Sequence, residues 1–328
     1  MKATSNFVRR PEKILERLEW TVIRRLDGLL QGDYRTLFRG FGLDLADLRE
    51  YQYSDDIRYI DWNVTARLDT PYVRVYNEDR EITAWFLLDL SPSVDFGSAG
   101  VRKRELLNDF VGVLARVLTR HGNRVGALLY SGTAENGRID MLVPARAGRD
   151  HVLYLLHLLL GSPTFTSSSP TSLGNLLTAG IRTIRRRSLV FVVSDFQSTP
   201  GWERPLLHLA QRNETLAIRL LDPLEMELPD LGMLLMQDSE TGEQLFVDTH
   251  DRRFRDRFKE AAMRRQESLR RTLARAGVDA IELSTRDDLA DAIFRFVGMR
   301  KLRSATAAGS VTSRFVTSGG ARSSSVGG

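Results

Sequence analysis

Apolar positions along the chain follow two periods, and the places where one gives way to the other outline the fold. Ile14, Leu15, Leu18, Val22, Ile23, Leu26, Leu29 and Leu30 recur at spacings of three and four. This predicts an amphipathic helix over 7–31 with Pro11 in its first turn. Helices are likewise predicted over 102–121, 149–160, 173–187, 202–212, 252–276 and 287–301. Between them lie short runs without polar interruption. Trp85-Phe86-Leu87-Leu88 and Leu189-Val190-Phe191-Val192-Val193 do not alternate, so each predicts a strand covered on both faces, as in a parallel sheet flanked by helices. Further strands are predicted at 124–130, 138–143, 215–221 and 279–283, and Pro71–Tyr76 alternates as a half-buried strand does. Residues 232–249 predict a β-hairpin around the polar turn Asp238–Gly242. Strands alternating with helices predict an α/β class, a doubly wound and mostly parallel sheet with an N-terminal helical and strand extension and a hairpin insert at its edge. The expected organisation is an N-terminal helix plus an acidic-aromatic segment over 1–80, the sheet domain over 81–300, and a disordered basic tail over 301–328.

Candidate chemistry gathers where the apolar runs end. In open parallel sheets ligands bind at the carboxyl ends of the strands. The first run ends in Asp89-Leu90-Ser91-Pro92-Ser93, where one carboxylate and two hydroxyls can turn toward a common point. Such oxygen donors suit a hard cation such as Mg²⁺. The second run ends in Ser194-Asp195, and the polar loop between the two carries Thr171. Acids at the ends of core strands need a partner, so the recurrence favours a metal site. A plainer reading stands beside it: Ser93 and Thr171 cap helices, and Asp195 serves a turn.

A second dense segment, 49–67, mixes paired acids, arginines and aromatics. Asp55, Asp56, Arg58, Trp62 and Arg67 form either a structural ion-pair network or a contact surface for a protein partner, since Trp, Tyr and Arg anchor most interface hot spots.

Charge at first suggests nucleic acid: the 328 residues carry a formal +5. The tail over 301–328, however, holds Lys301, Arg303, Arg314 and Arg322 and no acid, which leaves +1 for the rest. This disfavours nucleic acid, whose remaining support is the tail and Arg185-Arg186-Arg187. The absence of cysteine excludes disulfides, thiolate metal sites and a cysteine nucleophile. No run reaches the length of a membrane span and no signal-peptide core opens the chain, so a soluble cytoplasmic protein is expected.

These residues carry a resemblance. Asp89-x-Ser91-x-Ser93, Thr171 and Asp195 resemble the metal-ion-dependent adhesion site (MIDAS) of von Willebrand factor A domains. Leu48-Arg49-Glu50-Tyr51, Asp55 through Trp62, Ala66-Arg67, Asp89 through Ser93, Gly122 through Gly126 and Ser194-Asp195-Phe196 are similar to the bacterial domain-of-unknown-function family 58. The resemblance implies a Rossmann-like domain binding Mg²⁺ or Mn²⁺. It makes Ser91 and Ser93 direct ligands, Thr171 a direct or water-bridged one, and Asp89 and Asp195 contributors through hydrogen bonds and bound waters. A carboxylate from a client protein would fill the open coordination position. It further implies association with MoxR-type AAA+ ATPases in the maturation or activation of protein complexes. The expected function is therefore a non-enzymatic, metal-dependent protein-interaction module. The chain has no Gly-x-x-x-x-Gly-Lys-Ser/Thr loop, so ATP hydrolysis would belong to the partner. The alternatives are a Mg²⁺- or Mn²⁺-dependent phosphoester hydrolase, which lacks a histidine or lysine base near the serines in sequence, and a nucleic-acid-binding protein.

Overall fold

The computed structural model describes residues 10–26, 47–52, 57, 60–68, 70–75, 82–98, 100–132, 138–163, 171–238 and 242–295. Helix α1 (Pro11–Leu18) continues through a π-type turn (Glu19–Ile23) to residue 26. Strands β1 (Asp47–Glu50) and β2 (Tyr72–Val75) pair antiparallel, with the short helix α2 (Trp62–Leu68) between them. The pairing of β1 was not anticipated, because Asp47-Leu48-Arg49-Glu50 has no run of apolar or alternating positions. Asp55, Asp56 and Arg58 lie outside the described residues, as does the tail from 296 onward.

The body of the molecule follows in chain order: β3 (Thr83–Asp89), α3 (Lys103–Arg120), β4 (Arg124–Tyr130), β5 (Met141–Arg146), α4 (Arg149–Gly161), α5 (Leu173–Thr183), β6 (Leu189–Ser194), α6 (Glu203–Arg212), β7 (Glu214–Leu221), β8 (Met233–Gln237), β9 (Gln244–Asp248), α7 (Arg252–Arg275) and β10 (Asp279–Ser284). A last helical segment covers 289–295. Six strands form one sheet in the order β10-β7-β6-β3-β4-β5, and all neighbours run parallel except β4 and β5. The result is a mixed α/β fold around a mostly parallel sheet.

Side chains of β3 alternate between two apolar layers, which is why the run carries no polar residue. Phe86 and Leu88 join one layer with Leu107, Phe110 and Leu118 of α3, Leu155 and Leu156 of α4, and Leu15 and Leu18 of α1. Phe86 stacks on Phe191 of β6 at 5.0 Å between centroids. Leu87 faces the other layer, with Leu176 and Leu177 of α5, Leu206 of α6 and Leu273 of α7. Gly180 lets α5 lie close on this face; a Cβ there would come within 2.5 Å of Leu87 Cδ2. Helix α1 is fixed by its apolar face and by ion pairs of Arg17 with Asp109 (2.6 Å) and Glu19 with Arg116 (2.7 Å).

Three expectations shift. The strand expected at 138–143 lies at Met141–Arg146, because Asp140 is drawn off to bond Ser131 before the strand begins. The helix expected to reach Arg187 stops at Thr183: Ile184 turns to extended backbone and is buried, while Arg185 to Arg187 stay exposed. The hairpin β8–β9 pairs as expected, but as its own two-stranded sheet rather than on the edge of the large one. β10 pairs with β7 and takes that edge.

At the carboxyl end of β7, buried Asp222 accepts hydrogen bonds from Ser98 N–H (2.8 Å), Ser98 Oγ (2.6 Å), Leu224 N–H (3.0 Å) and Thr285 Oγ1 (2.8 Å). Burial alone would raise its pKa, but these donors outweigh it and hold the carboxyl below the ordinary value. Asp222→Ala leaves the donors unpaired and is expected to cost about 3 kcal/mol in urea unfolding, the loss typical of buried bonds to a charged group.

Candidate functional site

The chain leaves β3 toward β4 on one side and returns through β6 and β7 on the other, so strand order reverses at the β3–β6 boundary. Such a reversal opens a crevice at the carboxyl ends. Asp89 ends β3 and Ser194-Asp195 ends β6, which puts the two predicted acids on either side of that boundary.

Asp89, Ser91, Ser93, Thr171, Ser194 and Asp195 are all buried. Asp89 Oδ1 accepts the Ser91 N–H at 3.0 Å, and Oδ2 accepts the Ser194 hydroxyl at 2.6 Å. Ser194 Oγ in turn accepts the N–H of Phe196 at 2.8 Å, a residue held at φ 59°, a conformation uncommon outside glycine. Ser91 Oγ and Ser93 Oγ stand 3.1 Å apart. Thr171 is joined to the turn after β6, its carbonyl accepting the Thr199 N–H at 3.0 Å and the Ser198 hydroxyl at 3.1 Å. Its side chain packs on Gly132, beyond the end of β4, so close that a Cβ there would lie 3.0 Å from Thr171 Oγ1. All five predicted site residues therefore sit at the carboxyl-end side of the sheet. Trp62 and Arg67 are exposed on α2, outside this cluster.

The sequence reading missed the residue that organises the centre electrostatically. Lys103 opens α3 and is fully buried, with Nζ 2.7 Å from Asp195 Oδ2 and 2.6 Å from Glu225 Oε1. A cation at a helix N-terminus faces the wrong end of the macrodipole, so the two carboxylates must compensate for both dipole and desolvation. Burial by itself favours the neutral amine, yet Asp195 and Glu225 outweigh it and hold the ammonium above the ordinary lysine pKa. Glu225 is presented by a capping box, its Oε2 accepting the Asp222 N–H at 3.0 Å. The neighbouring Arg104 pairs with Asp95 and donates to the Leu90 carbonyl at 2.9 Å, fixing the loop that carries the serines. The one available signal was weak: Lys103 is among five lysines in a chain with 47 basic residues, at a predicted helix start.

Asp89 is disfavoured as a carboxylate. Burial, then the charge of Asp195, push its pKa up to about 6, and the bonds from Ser194 and Ser91 only partly offset them. When all groups are ionised, Asp89, Asp195 and Glu225 against Lys103 leave two negative charges out of water.

Oxygen donors of this kind would suit Mg²⁺ or Mn²⁺. Neighbouring oxygens around an octahedral ion with bonds of about 2.1 Å lie about 3 Å apart, which matches the Ser91–Ser93 separation. Both Asp89 oxygens and both Asp195 oxygens already accept protein donors, the latter from Gln197 N–H at 3.0 Å and Lys103. Among the described residues no group of three or more His, Asp or Glu is placed to hold a metal. The Ser91 and Ser93 hydroxyls are likewise engaged, bonding each other.

Residues 47–268 match the family described as Protein of unknown function DUF58. The chain belongs to this family. Uncharacterized proteins of Mycobacterium tuberculosis and Mycobacterium bovis are each 39% identical to it over 290 residues, 88% of this chain and 89% of theirs. Among solved structures, the conserved hypothetical protein BatB from Bacteroides thetaiotaomicron is similar with a TM-score of 0.42 and 12% identity, over 67% of this chain and 98% of that one. No helix among the described residues is long and apolar enough to cross a membrane.

Proposed function

We propose that this family member is a metal-dependent protein-interaction module whose von Willebrand factor A-like sheet domain presents a MIDAS-type site. The observation that carries the reading is the buried Ser91–Ser93 hydroxyl pair, 3.1 Å apart, in a cluster with an excess of two negative charges at the crossover of the sheet. Ser91 and Ser93 would hold Mg²⁺ or Mn²⁺ directly, Thr171 would join them directly or through water, and Asp89 and Asp195 would orient the bound waters. A bound divalent ion supplies a position at which a partner's carboxylate replaces a water. Asp89 and Asp195 neutralise and orient, Lys103 limits the surplus charge, and Arg104 fixes the loop.

The chain's own residues favour binding over catalysis. An activated serine needs a base, and the buried amine bonded to Asp195, Lys103, is held as an ammonium by two carboxylates. The energy-supplying partner in this reading is a MoxR-type AAA+ ATPase, as the resemblance of the motifs implies, with a client protein as the source of the carboxylate.

Affinity capture of tagged protein from its native cells tests this, with wild type, wild type in EDTA, and Ser91→Ala compared by mass spectrometry. An AAA+ ATPase or client present only in the first sample is the expected outcome. The same partners in all three would reject the reading, as would Mn²⁺-dependent phosphatase or nuclease turnover lost in Ser91→Ala.

A further inference from the structure

Helix α5 begins just after Thr171 and has two faces. Leu173, Leu176, Leu177 and Gly180 pack against the sheet, while Asn175, Thr178, Ala179, Arg182 and Thr183, at helical spacing, line a groove of about 600 Å³. Arg138 and Ile139, from the stretch before β5, complete its lining. The lining therefore carries two arginines from separate elements, and among the described residues neither Arg138 nor Arg182 forms an ion pair. The nearest acid in sequence, Asp140, is taken up by Ser131. Exposed Arg185, Arg186 and Arg187 continue the positive surface past the end of α5. Arginines near a helix C-terminus also complement the dipole, but that does not account for Arg138, which approaches from outside the helix.

The groove starts at the corner that carries Thr171. Asn175 Nδ2 reaches Tyr130 Oη at 3.5 Å where β4 ends, and Thr171 lies against Gly132 at the same corner. At a rise of about 1.5 Å per residue, Arg182 lies about 13 Å along the helix axis from Leu173, the span of roughly four extended residues.

We propose that this groove binds an acidic peptide segment, the continuation of the partner chain whose carboxylate reaches the serine cluster. The inference rests on the interaction reading above and names the chemistry of the partner. Two guanidinium forks recognise carboxylates in pairs, and the hydroxyl and amide groups of Thr178, Thr183 and Asn175 can bond a peptide backbone. Nucleic acid fits less well, because among the described residues no aromatic side chain lines the groove to stack a base.

The test is fluorescence anisotropy of a fluorescein-labelled hexaglutamate peptide against the full chain, in Mg²⁺ and in EDTA, with a labelled dodecathymidylate as the competing class. Arg138→Gln/Arg182→Gln is expected to weaken the peptide about tenfold or more in both buffers, Arg138→Lys/Arg182→Lys to lose less, and Ser91→Ala to lose only the Mg²⁺-dependent increment. Equal melting temperatures of the variants check folding. A wild type that does not bind hexaglutamate, or a glutamine variant that binds it unchanged, overturns the proposal. Tighter binding of dodecathymidylate, lost in the same variant, reassigns the groove to nucleic acid. Groove binding that survives without any Mg²⁺ increment in wild type would count against the metal reading alone and leave the groove standing.

Discussion

Lys103→Met destabilises the metal-free protein by about 3–5 kcal/mol, and a millimolar divalent cation restores much of that loss. The first figure is the usual cost of removing one partner from a buried ion pair. Here the stranded groups are Asp195, with its carboxylate buried, and Glu225, both bonded to Nζ within 2.7 Å. Methionine keeps most of the side-chain volume, so the effect reads charge more than packing. The rescue follows from the same charges: without Lys103 the centre carries three negative charges in place of two, and its preference for a divalent cation rises. Urea unfolding in EDTA and in Mn²⁺ measures both. A variant as stable as wild type in EDTA, or one that Mn²⁺ leaves unimproved, contradicts the assignment of Lys103 as the internal counter-ion.

Asp89→Asn acts in the opposite direction: it stabilises the metal-free protein at neutral pH while removing metal binding. Asp89 has a folded-state pKa of about 6, above its ordinary 3.8. A group whose pKa is raised by folding favours the fold most fully below the unfolded value, and that contribution is lost as pH rises through the folded value. Wild type in EDTA should therefore lose stability relative to Asp89→Asn between about pH 4 and pH 6, with no further divergence above, by an amount on the order of 3 kcal/mol. Asparagine can still accept the Ser91 N–H and meet Ser194, so the loop geometry survives. The check is the difference in melting temperature between the two proteins across that pH range, about 5 °C or more at the plateau. A variant less stable than wild type above pH 6 would show that the carboxylate is structural and not strained.

The central strands and their terminal acids were legible because four or five consecutive large apolar residues admit few structures other than a strand buried on both sides. The Asp89, Ser91, Ser93 grouping was legible because its residues are adjacent. What closes the centre was not: Lys103 meets Asp195 across 92 positions and Glu225 across 122, and Ser194 meets Asp89 across 105. No local spacing encodes such pairs. Ser194 was read as part of a motif and given no role, though it bridges the two strand ends. The hairpin's alternation was plain, while its separation from the large sheet depended on β10, which arrives later in the chain and takes the edge. The outer face of α5 was legible only as the polar side of a helix, since Arg138 reaches the groove from another part of the fold.

The most direct measurement is a Mn²⁺ titration followed by electron paramagnetic resonance, on wild type and on Ser91→Ala/Ser93→Ala. The account predicts one protein-bound Mn²⁺ per chain in wild type, displaced by Mg²⁺, and its loss in the double variant with folding retained. Stoichiometric Mn²⁺ in both proteins, or none in wild type, would contradict it.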